Sequence, residues 1–365
     1  MNIVAVCRGQ PGLGRVVPAV ALTQAIAAEG TVTATFASYG AGARFLSGSG
    51  YCVVDLGSPD GLFIDSVAEQ ALRVVDLVQE TDAGLVLIDG EFFLPVALAH
   101  LDVPVVYLAN PHDLAGPANT FRRGNRRLLS YCDAVLISRL GCPAPAPRPD
   151  LISGTACLEV PALCRDIPLE FQQPSGPARV LVSTGGGSLR SPQLRAETDR
   201  ALDQVLDVLA PLAGHGHIGT VRVVLGADAT AAARWHSRRP WLEITQGPAA
   251  LADLYRCHDL LITRAGRNTL AEAAYCGIPT VVLPVAADPH RGGEQQDNAG
   301  AVAGLPAMFT PRDWHDSTAL HDTVLLALEA ARRGVRSTGR RGNEHAAAFV
   351  CGLVSGDHHS QRGAV

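Results

Sequence analysis

Short apolar runs rich in β-branched residues alternate with alanine- and leucine-rich stretches along nearly the whole chain. Ile3–Val6, Thr31–Phe36, Val53–Leu56, Leu85–Ile88, Val105–Tyr107 and Ala134–Ile137 read as strands. Val16–Ala28, Ile64–Gln79 and Leu94–Leu101 read as helices between them. The strand runs are continuously apolar, not alternating, which is the pattern of parallel strands covered on both faces. Each crossover helix then supplies part of that cover, so the expected class is a doubly wound α/β domain.

The rhythm breaks across residues 142–178, where Cys142-Pro-Ala-Pro-Ala-Pro-Arg-Pro and Gln173-Pro-Ser-Gly-Pro read as loop or linker. It then restarts, with strands expected at Val180–Ser183, Val221–Leu225, Leu242–Thr245, Leu260–Thr263 and Thr280–Leu283. Helices are expected at Pro192–Leu209, Ala249–Arg256, Asn268–Cys276 and Glu294–Ala303. The 365 residues therefore divide into two domains, 1–162 and 163–339, as a size of about 150 residues per domain suggests. Each half opens on a strand feeding a glycine-rich turn, and in an open α/β sheet that turn lies where ligands bind.

Composition narrows the chemistry. No lysine occurs, so all 30 basic residues are arginine. That absence excludes a Walker A phosphate loop, a pyridoxal Schiff base and a lysine nucleophile. A formal net charge of -5 argues against nucleic-acid binding through a basic face. Nine cysteines without a C-x-x-C pair read as reduced thiols. The N-terminal run reads as a first strand and not a signal peptide, and no apolar stretch reaches the roughly 18 residues of a membrane span. The expectation is a cytoplasmic protein with no integral membrane segment.

Thr184-Gly185-Gly186-Gly187-Ser188 follows a strand and precedes a helix. Glycines let backbone approach a ligand, and a helix start presents N–H groups and a positive dipole end. The segment is a diphosphate cradle, with Thr184, Ser188 and Arg190 as added donors, or a tight turn without a ligand. A longer constellation begins at Arg264. Gly266 makes a turn, a helix begins near Asn268 and Thr269, and Glu272 lies one turn in, where a carboxylate can take two ribose hydroxyls. Gly277-Ile-Pro279 ends that helix and launches a strand. Beyond Pro284, Glu294 and Gln295 open another helix as readers of sugar hydroxyls or as a solvated capping cluster.

Arg264-Ala265-Gly266, Thr269, Glu272, Gly277-Ile278-Pro279, Pro284 and Glu294-Gln295-Gln296-Asp297-Asn298-Ala299 follow one another in a recognisable order. This segment resembles the nucleotide-sugar site of GT-B glycosyltransferases, above all the peptidoglycan N-acetylglucosaminyltransferase (MurG-like) group. It is more distantly similar to family-1 natural-product transferases. Ala265 stands where the family has serine, and Glu294 where it has the first glutamine. The resemblance implies two Rossmann-like domains facing across a cleft, with residues from about 340 to 356 packing back on the first. It implies acceptor binding by 1–162 and binding of a UDP-sugar co-substrate by 163–339, with no other cofactor and no metal. By the same resemblance the backbone at Gly247–Pro248 and the side chain of Leu251 face the base.

The turn Gly9-Gln-Pro-Gly12-Leu-Gly14-Arg15 resembles the family's first glycine loop, where the residue after the last glycine is usually a histidine base. Arg15 fills that slot and cannot accept a proton. Asp89, with Glu91 beside it, and His112, beside Asp113, sit at the ends of predicted strands as replacement candidates. Asp89 comes first and His112 second; Asp89 is alternatively the N-cap of a helix over Glu91–Leu101. Arg15 is then left to bind an acceptor anion or the donor diphosphate. The implied function is transfer of a hexosyl or N-acetylhexosaminyl group to a small-molecule acceptor, natural products included. A nucleotide-sugar hydrolase or 2-epimerase, and a non-catalytic nucleotide-sugar-binding protein, are the other classes. A homodimer is compatible with the sequence.

Overall fold

A computed structural model describes residues 1–356 apart from 11, 58–62, 115–119, 168–175, 186–191, 227–238, 247–250, 286–292 and 337–338. The chain forms two compact units, Met1–Cys164 with Arg341–Val365, and Arg165–Arg340.

In the first unit, β1 (Asn2–Cys7), β2 (Thr33–Ser38), β3 (Cys52–Asp55), β4 (Leu85–Asp89), β5 (Val105–Ala109), β6 (Ala134–Arg139), β7 (Ala146–Pro147) and β8 (Ala156–Pro161) form one sheet. Its order is β3-β2-β1-β4-β5-β6-β8-β7, parallel except for the short β7–β8 pair. The sheet order reverses direction beside β1, between β1 and β4, the position at which doubly wound sheets hold ligands. Every residue of β4 and β5 is buried, which explains their unbroken apolar sequence. One face packs on the Val16–Glu29 helix, through Val16, Ala19, Val20 and Leu22. The Asn343–Val354 helix adds Ala346, Ala347 and Val350 to the same core. The opposite face is filled by Val74, Leu98, Leu129 and their neighbours.

The second unit carries β9 (Ala178–Ser183), β10 (Ile218–Leu225), β11 (Leu242–Gln246), β12 (Leu260–Arg264), β13 (Thr280–Leu283) and β14 (Met308–Phe309). Their order is β11-β10-β9-β12-β13-β14, all parallel. The Pro192–Gly214 helix buries Ala201, Leu202, Val205, Leu206 and Leu209 on this sheet, and the Ser317–Arg332 helix adds Leu320, Val324 and Leu328. No helix among the described residues is long and apolar enough to cross a membrane.

Boundaries shift where local signals are weak. The helix expected over 94–101 ends at Leu98, and Phe93 is its N-cap, so Asp89 caps no helix. The helix near Asn268 begins one residue earlier, at Arg267, with Gly266 as N-cap. Gly277 closes it in the left-handed region at φ 76°, which a side chain would strain, and its N–H donates back to the Ala273 carbonyl.

Close packing fixes one glycine in the first turn. A Cβ on Gly9 would lie 1.6 Å from the Tyr39 carbonyl oxygen, whereas one on Gly14 would meet nothing within 4 Å. Gly9→Ala is therefore expected to cost about 1–3 kcal/mol of unfolding free energy through forced backbone movement. Urea denaturation measures this, and an unchanged midpoint would show that the Tyr39 segment yields freely.

Candidate functional site

Two groups of polar residues sit at the carboxyl ends of strands, one in each unit. In the first unit β1, β4 and β5 end side by side, with Cys7 opposite Asp89 in the ladder. The Val16–Glu29 helix starts just after the glycine turn, and its N-cap residue is Arg15. Arg15 donates from Nη1 to Asp89 at 3.0 Å and to Asp113 at 2.7 Å, and from Nη2 to the other Asp113 oxygen at 2.7 Å. Asp113 is held in place by the Asn110 amide, which donates to its Oδ2 at 2.9 Å.

Burial alone would weaken the protonated form of Arg15, but Asp113 and then Asp89 more than reverse this and hold its pKa well above the usual value. Two carboxylates thus pair with the one guanidinium of Arg15. Asp89 is only 1% exposed and faces Arg15. Asp113, placed beside His112 in sequence, forms the stronger bidentate pair.

Glu91 stands closer to the surface, accepting from the Tyr39 hydroxyl at 2.9 Å, with Arg8 Nε at 3.5 Å. Arg8 also donates to the Gly90 carbonyl. His112 is half-buried on the short Pro111–Leu114 helix, its amide donating to Asn110 Oδ1 at 3.2 Å. Gly12 and Gly14 lie in the turn before Arg15.

In the second unit the ladder sets Ser183, the last residue of β9, opposite Thr263, with Arg264 completing β12. Thr184 and Gly185 follow β9, with Gly185 at φ +95°. A Cβ on Gly185 would come 3.1 Å from Nη2 of Arg264, so glycine here lets the guanidinium lie against the turn. Thr184 turns its hydroxyl to the Val224 carbonyl at 3.3 Å. Gly186, Gly187 and Ser188, with Arg190, lie outside the described residues, as do Gly247 and Pro248.

Arg264 differs sharply from Arg15. Its Nη1 donates to the Thr198 hydroxyl at 3.1 Å, yet its Nε is buried with no partner and no acidic side chain among the described residues pairs with it. Desolvation alone pushes its pKa down to about 10. The Ser183 hydroxyl, one strand over, is likewise buried without a partner. Buried donors normally find an acceptor, so these two, at adjoining strand ends, stand out.

The neighbouring helix start at Gly266 has no side-chain cap, and Asn268 and Thr269 occupy its first turn. Glu272 follows, 2% exposed, bound by Nε and Nη2 of Arg165 at 2.6 and 2.9 Å and by the Tyr255 hydroxyl at 3.2 Å. Glu272 is thus a paired, buried carboxylate and not an open one. Glu294 and Gln295 open the Glu294–Val302 helix, and Gln295 Oε1 accepts from the Val285 amide at 3.0 Å. Asn298 donates to the Ala265 carbonyl at 3.0 Å, tying this helix to the turn after β12. Leu251 begins the Leu251–Tyr255 helix.

Sequence reasoning passed over Ser183, Arg165 and Tyr255. Ser183 closes an apolar strand, and Arg165 lies 107 positions from the carboxylate it serves, so neither has a local signature.

The Arg15 cluster is expected to support stability. Arg15→Met removes the cation from between the buried Asp89 and the half-buried Asp113 and should cost about 3–5 kcal/mol, read by chemical denaturation at neutral pH. A loss below about 1 kcal/mol would mean that solvent already screens the aspartates.

Residues 200–326 match the glycosyltransferase family 28 C-terminal domain. The UDP-N-acetylglucosamine–N-acetylmuramyl-(pentapeptide) pyrophosphoryl-undecaprenol N-acetylglucosamine transferase of Magnetococcus marinus is 32% identical over 268 residues, 69% of this chain and 65% of that protein. The transferase of the same name from Cutibacterium acnes is 33% identical over 94 residues, 23% of this chain and 24% of that one. The chain thus spans less than two thirds of these curated relatives. Among solved structures, the glycosyltransferase of kitacinnamycin superposes with a TM-score of 0.62 at 18% identity, covering 97% of this chain and 99% of that one. MurG of Acinetobacter baumannii superposes at 0.55 and 17% identity, over 97% and 99%. The chain has the GT-B fold, residues 200–326 in its second unit match the family 28 C-terminal domain, and it is similar to the MurG-like transferases.

Proposed function

We propose that this protein transfers a hexosyl or N-acetylhexosaminyl group from a UDP-sugar to a small-molecule acceptor, without a metal ion. The observation that carries the donor half is the pair of buried, unpartnered donors, Arg264 Nε and the Ser183 hydroxyl, at the ends of β12 and β9. A diphosphate supplies the missing acceptors. It would also lie near the uncapped start of the Arg267–Cys276 helix, where amides and the dipole favour negative charge. As the acceptor attacks C1 of the sugar, charge builds on the departing diphosphate, and donors already in place stabilise it without reorganisation. The proximal carboxylate for the ribose is Glu272.

On the acceptor side, Asp89 is spent on Arg15, so His112 takes the role of general base. The names of the curated relatives favour a second acceptor class, a lipid pyrophosphate carrying a muropeptide, which belongs in the same assay panel. A hydrolase or 2-epimerase would release free sugar or its epimer without any acceptor.

Arg264→Gln keeps size and polarity but removes the charge. Calorimetric titration with UDP should show affinity reduced by about 1.5–3 kcal/mol, and unchanged affinity would remove Arg264 from the diphosphate site. His112→Asn should cut turnover about 100-fold while UDP affinity stays constant. A fully active variant would eliminate His112 as the base.

A further inference from the structure

The chain passes between its two units twice, at Cys164–Arg165 and at Arg340–Arg341. Both passages are tied down on either side. On the first unit's side, Asn343 grips Cys164 with both ends of its amide. Its Oδ1 accepts from the Cys164 amide at 3.1 Å, and its Nδ2 donates to the Cys164 carbonyl at 2.6 Å. Both residues are buried, although 179 positions separate them. Beside them the Gly342 amide donates to the Ala162 carbonyl at 3.2 Å. A Cβ on Gly342 would lie 2.2 Å from the Pro161 carbonyl oxygen, so glycine is what lets the two stretches run this close. On the second unit's side both passages are held by one helix, Arg267–Cys276. Arg165 binds Glu272 on that helix through Nε and Nη2. The Gly339 amide donates to the Ala274 carbonyl at 3.0 Å, and a Cβ on Gly339 would sit 2.6 Å from the Ala274 carbonyl carbon.

We propose that Asn343 is a hinge pin, which staples the two passages into one connection and confines bending to the Cys164–Arg165 peptide and to Arg340–Arg341. The pinned points are consecutive on the first passage, Cys164 and Arg165, and on the second only Arg340 and Arg341 lie between Gly339 and Gly342. Releasing the pin is costly, because the Cys164 amide and carbonyl and the Asn343 side chain are buried where water does not replace the lost bonds. The two passages therefore flex together, and neither opens while the pin is closed. The proposal does not depend on which substrate the protein takes.

Trypsin tests it on the native full chain, because it cuts after arginine and Arg340 is exposed. The cleavage rate reads the population of the opened connection when opening is fast relative to cutting. Asn343→Leu removes both bonds and should speed cleavage after Arg340 and Arg341 about tenfold or more. Asn343→Asp keeps an acceptor for the Cys164 amide but loses the donor to its carbonyl, so its rate should fall between the two, and it serves alone if Asn343→Leu does not fold. Val106→Ala loosens the core of the same unit on β5, away from the pin, and should leave these rates within about threefold of wild type. Unchanged cleavage in the folded Asn343 variants overturns the proposal. An equal rise in Val106→Ala also overturns it, because the clamp would then add only to the general stability of the first unit. Wild-type cleavage at these bonds as fast as in an unfolded peptide overturns it as well.

Discussion

Parallel strands buried on both faces leave a chain few places for polar chemistry. In both units the strand interiors are sealed by helices, and charged or hydroxyl side chains collect where strands end and turns begin. Asp89 terminates β4, Ser183 terminates β9 and Arg264 terminates β12. The same hydrophobic requirement that builds the sheets thus gathers the functional groups at their carboxyl edges, beside helix starts that favour anions.

At those edges, the identity of a cation matters less than its company. Arg15 and Arg264 both follow apolar strands and adjoin glycine turns. Asp113 and Asp89 surround the first, which makes it a structural tie among β1, β4 and β5. No acid among the described residues pairs with the second, and burial depresses its pKa to about 10. A buried cation in that state gains most from an incoming anion, because the anion restores the lost compensation. Glu272 shows the reverse case, an acid matched in advance by Arg165 and Tyr255, with little acceptor capacity left.

Much of the architecture was legible because its signals are local. Continuous apolar runs at Leu85–Asp89 and Leu260–Arg264 announce buried parallel strands, and Gly277-Ile-Pro279 announces a helix end followed by a strand. The segment from Arg264 to Glu272 was legible as a candidate site because one strand, one turn and one helix start present it within nine consecutive residues. The Arg15–Asp113 bond, by contrast, joins residues 98 positions apart, and the Arg165–Glu272 bond joins residues 107 apart. No spacing rule reaches that far. Asp89 illustrates the consequence: its place at a strand end is legible in the sequence, but the arginine that the fold sets against it is not.

The amino-acid sequence alone determined the doubly wound class and the turn that opens the Arg267–Cys276 helix, because hydrophobic periodicity and turn chemistry act between near neighbours. Only the tertiary structure decided which charges are neutralised and which are left wanting a partner. Compensation depends on distances of a few ångströms and on exclusion of water, and both arise when remote segments meet.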